Sequence, residues 1–220
     1  MVGSLMRISD LGRKSGVPIA TIKFYLRERL LPQGKPTGRN QAEYDEGHLR
    51  RLRLIRTFTN IGQLDLSTVR DVLAAIDNDR MSLQDLYEIV DRSLFPADPV
   101  LSATDGVEAA RAEVDGFVGK LGWQVTDDAR GRLTLAHVLA ALQRLGCDCG
   151  VDFFVPYAKA AERLAVQELD LLPDELLDTD RAAAAVRSVL LEVALSALRR
   201  MAQEHYLAQR LSGPASRKSN

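Results

Sequence analysis

A chain of 220 residues, 46% hydrophobic and 27% charged, has the make-up of a globular protein with one large domain or two unequal ones. Its longest apolar runs, such as 182–186, fall far short of the roughly 20 residues that cross a bilayer, and the first residues lack a basic stretch followed by an apolar core, so a cytoplasmic protein with no membrane partner is expected. The net charge of −1 hides an asymmetry: residues 6–60 hold 12 Lys or Arg against 5 Asp or Glu, which implies a basic module that meets a polyanion and an acidic remainder with another task.

In chain order, Ser9 can cap a short helix running to about Ser15, and Gly16-Val17-Pro18 breaks it. A second helix is predicted from Pro18 to about Arg29, with Ile22 and Leu26 on one face. Leu30-Leu31-Pro32 reads as a short strand, residues 33–40 as a turn-rich basic loop, and Gln41 to Tyr44 as a return strand. Asp45 can cap a longer helix bearing Leu49, Leu52, Ile55 and Phe58. Ser67 can cap the next, with Val69, Val72, Leu73 and Ile76, and Ser82 the one after that. Phe95-Pro96-Ala97-Asp98-Pro99 stops that helix. Helical patterns follow at about 105–121, 127–145, 153–170 and 179–211, and Pro214 to Asn220 read as a disordered tail. The fold class expected is mainly α, a winged helix-turn-helix with a small two-stranded wing followed by an all-helical region. Its organisation is read as a DNA-binding module over 1–76, a helical connector over 77–106 and a dimerisation or effector domain over 107–220.

Two short helices joined by a glycine turn and followed by a two-stranded loop can place the second helix in a major groove and the loop beside the same duplex. Met6-Arg7-Ile8-Ser9-Asp10-Leu11, Ser15-Gly16-Val17, Thr21-Ile22-Lys23-Phe24-Tyr25, Leu30-Leu31-Pro32, and then Tyr44 with His48-Leu49-Arg50-Arg51-Leu52-Arg53-Leu54-Ile55, follow one another in an order and spacing that resembles the DNA-binding domain of the MerR family. The resemblance implies a homodimeric regulator that binds a pseudo-palindromic promoter in double-stranded DNA and acts on RNA polymerase indirectly, by twisting or bending that promoter. The chain departs from the family pattern at three places. Phe24 stands where a second tyrosine is usual, Arg29 where a glycine commonly ends the helix, and Asn40-Gln41-Ala42 in place of the usual Gly-Tyr-Arg before Tyr44. If position 29 requires a left-handed backbone, arginine there costs about 1 kcal/mol relative to glycine.

The candidate DNA-contacting residues are Thr21, Lys23, Tyr25, Lys35, Arg39, Arg50, Arg51 and Arg53. Thr21 either reads a base methyl or supports the helix start, and Tyr25 either meets DNA or belongs to the core. Lys23, Lys35 and Arg39 suit phosphate. Arg50 and Arg53, three residues apart, share a helix face, with Arg51 secondary to them.

Beyond residue 76 the sequence speaks less specifically. Trp123, Phe153, Phe154 and Tyr157 either line a pocket for an apolar or cationic small-molecule effector or form helical core. Cys147-Asp148-Cys149 offers two soft ligands, so a metal or thiol sensor is one alternative function, and an architectural DNA-binding protein without effector is another. No catalytic, metal or cofactor motif is recognised, and a chain with 3 His and 2 Cys is not read as an enzyme. The last helix carries Val186, Leu190, Val193, Ala197 and Met201 at steps of three and four, which suits either a dimer interface or the chain's own core.

Overall fold

The computed structural model describes residues 5–38, 41–95, 106–172 and 178–212, which fall into two compact units, one formed by 1–74 with 183–220 and the other by 75–182. Among the described residues the fold is mainly helical, with one two-stranded antiparallel sheet.

The first unit begins with α1 (Ile8–Ser15) and α2 (Ile19–Arg27), joined through Gly16 at φ 68°, a left-handed backbone that suits a residue without a side chain. Its amide closes α1 by donating to the Gly12 carbonyl at 2.8 Å. β1 (Lys35–Gly38) and β2 (Gln41–Glu43) form the wing, with Lys35 in register with Glu43 and an irregularity between Pro36 and Gly38. A backbone bridge between Met6 and Tyr44 ties the wing to the start of α1. α3 (Glu46–Arg56) starts at Asp45, whose side chain accepts from the His48 amide in a capping box. It runs into a π-helical turn at Thr57–Ile61, and α4 (Leu66–Ile76) follows. Leu11, Ile22, Leu30, Leu31, Leu52, Ile55, Phe58, Val69, Val72 and Leu73 are almost wholly buried and make this unit's core.

The second unit contains α5 (Leu83–Leu94), α6 (Val107–Leu121), α7 (Arg130–Arg144), a 3-10 turn at Val151–Phe154 and α8 (Val155–Leu169). Val107, Ala110, Val114, Phe117 and Val118 of α6 pack with Ala136, Leu139 and Ala140 of α7, with Phe154 and Ala158 completing the cluster. Arg132 holds the loop after α6, donating to Asp115 at 2.8 Å and to the Val125 carbonyl at 2.7 Å.

α9 (Asp178–Ser212) starts in the second unit and contributes its larger part to the first. In the second unit Arg181 is buried, and its guanidinium donates to the Met81 carbonyl at 2.7 Å and to the Ala75 carbonyl at 3.2 Å. Ala75 lies in the last turn of α4, where carbonyls lack intrahelical partners, so the arginine serves as a long-range C-cap. In the first unit Ala184, Ala185 and Val189 are buried, while 192–211 is exposed throughout.

Several local readings change. The strand lies at Lys35–Gly38 within the segment read as a loop, and Leu30-Leu31-Pro32 is not a strand. All four β1 residues are exposed, so no apolar alternation marks them, whereas Leu30 and Leu31 are buried as core plugs. α4 is started by Asp65 rather than Ser67: the Asp65 carboxylate accepts from the Thr68 amide at 2.9 Å and from the Ser67 hydroxyl. α1 starts at Ile8, with no side-chain cap from Ser9. The proline-rich stop over 96–99, Arg39, Pro173 and the tail over 214–220 lie outside the described residues.

Candidate nucleic-acid interface

The helical phase of α2 decides what it presents. Ile22, Tyr25 and Leu26 face inward, and Pro18, Ile19, Ala20, Lys23 and Arg27 face solvent. Thr21 and Phe24 are half-buried. The helix closes with the Arg29 amide on the Leu26 carbonyl and the Leu30 amide on the Tyr25 carbonyl, the paired bonds of a Schellman motif. Arg29 occupies the left-handed position with φ 59°, and the Gln33 side-chain amide donates to the Leu26 carbonyl at 3.0 Å. The conditional reading of position 29 is thereby met: an arginine stands where the backbone favours glycine.

Between α2 and the wing lies an open groove of about 680 Å³, lined by Arg7, Lys23, Gln33, Thr37 and Gln41 among others, with Glu43 at its border. Lys35 is exposed on β1, and Arg39 is not among the described residues. Arg50 and Arg53 are exposed on α3. Two other arginines of that helix serve the fold: Arg51 donates to the Leu30 carbonyl at 3.0 Å, and Arg56 to the Ser15 carbonyl at 2.8 Å. Tyr25 is only 8% exposed. The structure therefore brings Lys23 to the helix–wing groove and sets Lys35, Arg50 and Arg53 on the surface, while Tyr25 sits among core residues.

Two residues at this face were absent from the sequence-derived set. Arg7 lines the groove because the Met6–Tyr44 bridge carries it there, a pairing too distant in sequence to be read from spacing. Arg27 lies 5.2 Å over the Phe24 ring and was visible in principle, one turn after Lys23 on the same face.

Burial raises the pKa of Tyr44, whose ring packs edge-on to His48 at 5.2 Å. The Asp45 carboxyl is held below its ordinary value, first by the side-chain hydrogen bond with His48. His48 is thus part of the α3 start rather than of a solvent-facing basic stripe.

In the second unit Phe153, Phe154 and Tyr157 form an aromatic group, with centroid separations of 5.5 Å, 5.8 Å and 6.2 Å. Phe153 and Tyr157 are about half exposed and Phe154 is buried. Trp123 packs partly buried against the core, with its indole N–H donating to Glu162 at 3.5 Å. Cys147 and Cys149 are free thiols, and the Cys149 pKa is pushed up to about 11, first by its hydrogen bond with Cys147. Among the described residues no three His, Cys, Asp or Glu side chains are grouped to hold a metal ion, and no helix is long and apolar enough to cross a membrane.

The family model for the MerR HTH family regulatory protein matches residues 6–76. The HTH-type transcriptional regulator ZntR homolog of Haemophilus influenzae is 27% identical over 89 residues, covering 40% of this chain and 65% of that protein. The mercuric resistance operon regulatory protein of Bacillus cereus is 29% identical over 82 residues, covering 37% and 61%. The chain thus spans less than two thirds of the length of these curated relatives. The crystal structure of a Streptomyces coelicolor A3(2) protein, described there as a transcriptional regulator, is similar over almost the whole chain: 33% identity, TM-score 0.67, and coverage of 96% of this chain and 100% of that one.

Proposed function

The chain belongs to the MerR HTH family of DNA-binding transcriptional regulators, a non-enzymatic family, and from that premise we propose that it binds a pseudo-palindromic promoter as a homodimer and answers to a small-molecule effector. The observation that carries the dimer is the exposed second half of α9. Leu198, Met201, Tyr206, Leu207 and Leu211 are each more than half exposed. Leu191, Ala194, Leu198 and Met201 recur at alternating steps of three and four, the spacing of a coiled-coil seam. A stripe of this kind on a helix that its own chain leaves open suits a second copy of the same helix.

Lys23 in the groove and the exposed Lys35, Arg50 and Arg53, together with Arg39, would meet phosphates on either side of the α2 major-groove contact, and Thr21 would reach a base edge. Tyr25 and Arg51 would act by holding α2 in place. RNA polymerase would feel the protein through promoter geometry, in the cytoplasm where that DNA lies. The effector would meet the exposed faces of Phe153 and Tyr157, with Phe154 behind them and Trp123 nearby on the same unit.

The test is the double variant Leu198→Glu, Met201→Glu. Sedimentation should show the parent as a dimer at micromolar concentration and the variant as a monomer, with affinity for a dyad site selected from random duplex falling by about 100-fold or more as the two half-sites uncouple. A parent that sediments as a monomer, or binds an isolated half-site as tightly as the dyad, would sink the dimer reading. For the effector, Trp123 is the single tryptophan of the chain, so its emission reports ligand screens directly.

A further inference from the structure

We infer that α2 reads thymine C5-methyl groups, with Ile19 and Ala20 as the apolar contacts that set half-site specificity; the inference rests on the reading that α2 enters the major groove. The first turn and a half of α2 has an unusual inventory for a helix in that role. Pro18, Ile19, Ala20, Thr21 and Ile22 include no side chain with the forked donors or acceptors that pair with guanine, adenine or cytosine edges. Ile22 is wholly buried and leaves only the Thr21 hydroxyl as a polar group in this stretch. The first long polar side chain of α2 is Lys23, a full turn past Ile19.

What the N-terminal half of α2 does present is apolar. Ile19 is 42% exposed, and Pro18 and Ala20 flank it on the exposed surface. A single exposed aliphatic on a protein surface carries no information. Here two stand side by side at the end of the helix that reaches base edges in helix-turn-helix proteins, with the half-buried Thr21 hydroxyl as the one donor among the side chains of 18–22. In the major groove the C5-methyl of thymine is the one apolar group that a base pair offers. An isoleucine tip set against guanine or cytosine would desolvate polar edges and give nothing back. Successive helical residues project about 100° apart, so Ile19 and Ala20 address different base pairs.

The experiment uses the full chain and a duplex site selected from a random pool. Each thymine of the half-site is replaced singly by deoxyuridine, which removes the methyl group and keeps every hydrogen-bonding atom. At fixed salt, affinity should fall about fourfold at each contacted methyl, the value of one buried carbon. In Ile19→Ala the deoxyuridine penalty at its step should vanish, and in Ile19→Val, which keeps a branched apolar tip, it should persist. A 5-methylcytosine·G pair at that step should bind better than a plain C·G pair. Half-sites without thymine, or deoxyuridine substitutions that all leave affinity within about twofold, overturn the methyl reading and leave the DNA-binding protein intact. A protein with no preference for its selected site over random duplex overturns the groove-entry reading beneath it, and this inference with it.

Discussion

Gly62 and Val189, 127 positions apart in the chain, meet so closely that a Cβ at position 62 would stand 2.6 Å from the Val189 Cγ1 atom and 2.8 Å from the Phe58 carbonyl oxygen. The second clash is with backbone and cannot be relieved by a rotamer change. Gly62→Ala should therefore destabilise the first unit by about 1–3 kcal/mol, the usual penalty of overpacking. Urea denaturation of the two proteins checks this, and the companion Val189→Ala should recover only the part of the loss that comes from α9.

Arg29 has φ 59° at the end of α2. Arg29→Gly should raise stability by about 1 kcal/mol, because glycine enters that backbone region without strain. Arg29→Ala removes the same charge and keeps the strain, so it should show no such gain. Equal urea midpoints for the two variants would show that the left-handed backbone is not the source of the effect.

Lys23 is exposed in the helix–wing groove, whereas Tyr25 is buried. Lys23→Ala should lower the slope of log affinity against log salt by about one, the signature of one lost phosphate contact. Tyr25→Phe should leave the slope unchanged. Lys35→Ala should behave as Lys23→Ala does. An unaltered slope in both lysine variants removes them from the phosphate set.

Asp65 starts α4, and the hydrogen bonds from Ser67 and Thr68 hold its pKa at about 2, below the ordinary 3.8. A carboxylate depressed on folding stabilises the native state above its unfolded value, and that contribution fades as pH falls through 3.8 toward about 2. Asp65→Asn should be less stable than the parent at neutral pH, and the difference should close over that acid range. Thermal midpoints taken at intervals from neutral pH into this range follow it; a gap that stays constant would mean that the carboxylate charge plays no part.

The Cys149 thiol, pushed up to about 11 by its hydrogen bond with Cys147, should alkylate slowly at neutral pH. A thiolate forms only as the pH approaches a raised pKa, so its iodoacetamide rate should climb steadily through the alkaline range. Replacement of Cys147 by Ser weakens the hydrogen bond and should speed that reaction, as mass spectrometry of the modified peptide would record.

Much of the first unit is legible in the sequence because its signals are local. Gly16-Val17-Pro18 forces the turn between α1 and α2, and Asp45 starts α3 through an amide three residues on. β1 is not legible, since Lys35, Pro36, Thr37 and Gly38 are all exposed and hold their place by pairing with β2 rather than by burying alternate residues. Arg7 joins the groove through the Met6–Tyr44 bridge, and Arg51 and Arg56 turn their guanidinium groups back to the carbonyls of Leu30 and Ser15. Such long-range hydrogen bonds leave no mark on periodicity. The exposed side of α2 is legible once Ile22 and Leu26 are taken as its buried side, which turns Ile19, Ala20, Lys23 and Arg27 outward.

The grip of Arg181 on the Ala75 and Met81 carbonyls brings the first and last residues of the 75–182 unit together. A segment whose two ends meet is a cassette: chain leaves at Ala75, passes through α5 to α8 among the described residues, and returns to where it began. The residues on either side, 1–74 and 183–220, are then one discontinuous domain interrupted by an insertion. Such a layout lets evolution, or a protein engineer, exchange the inserted unit for another of any length with closely spaced ends, leaving the DNA-binding head and the long terminal helix on the same template.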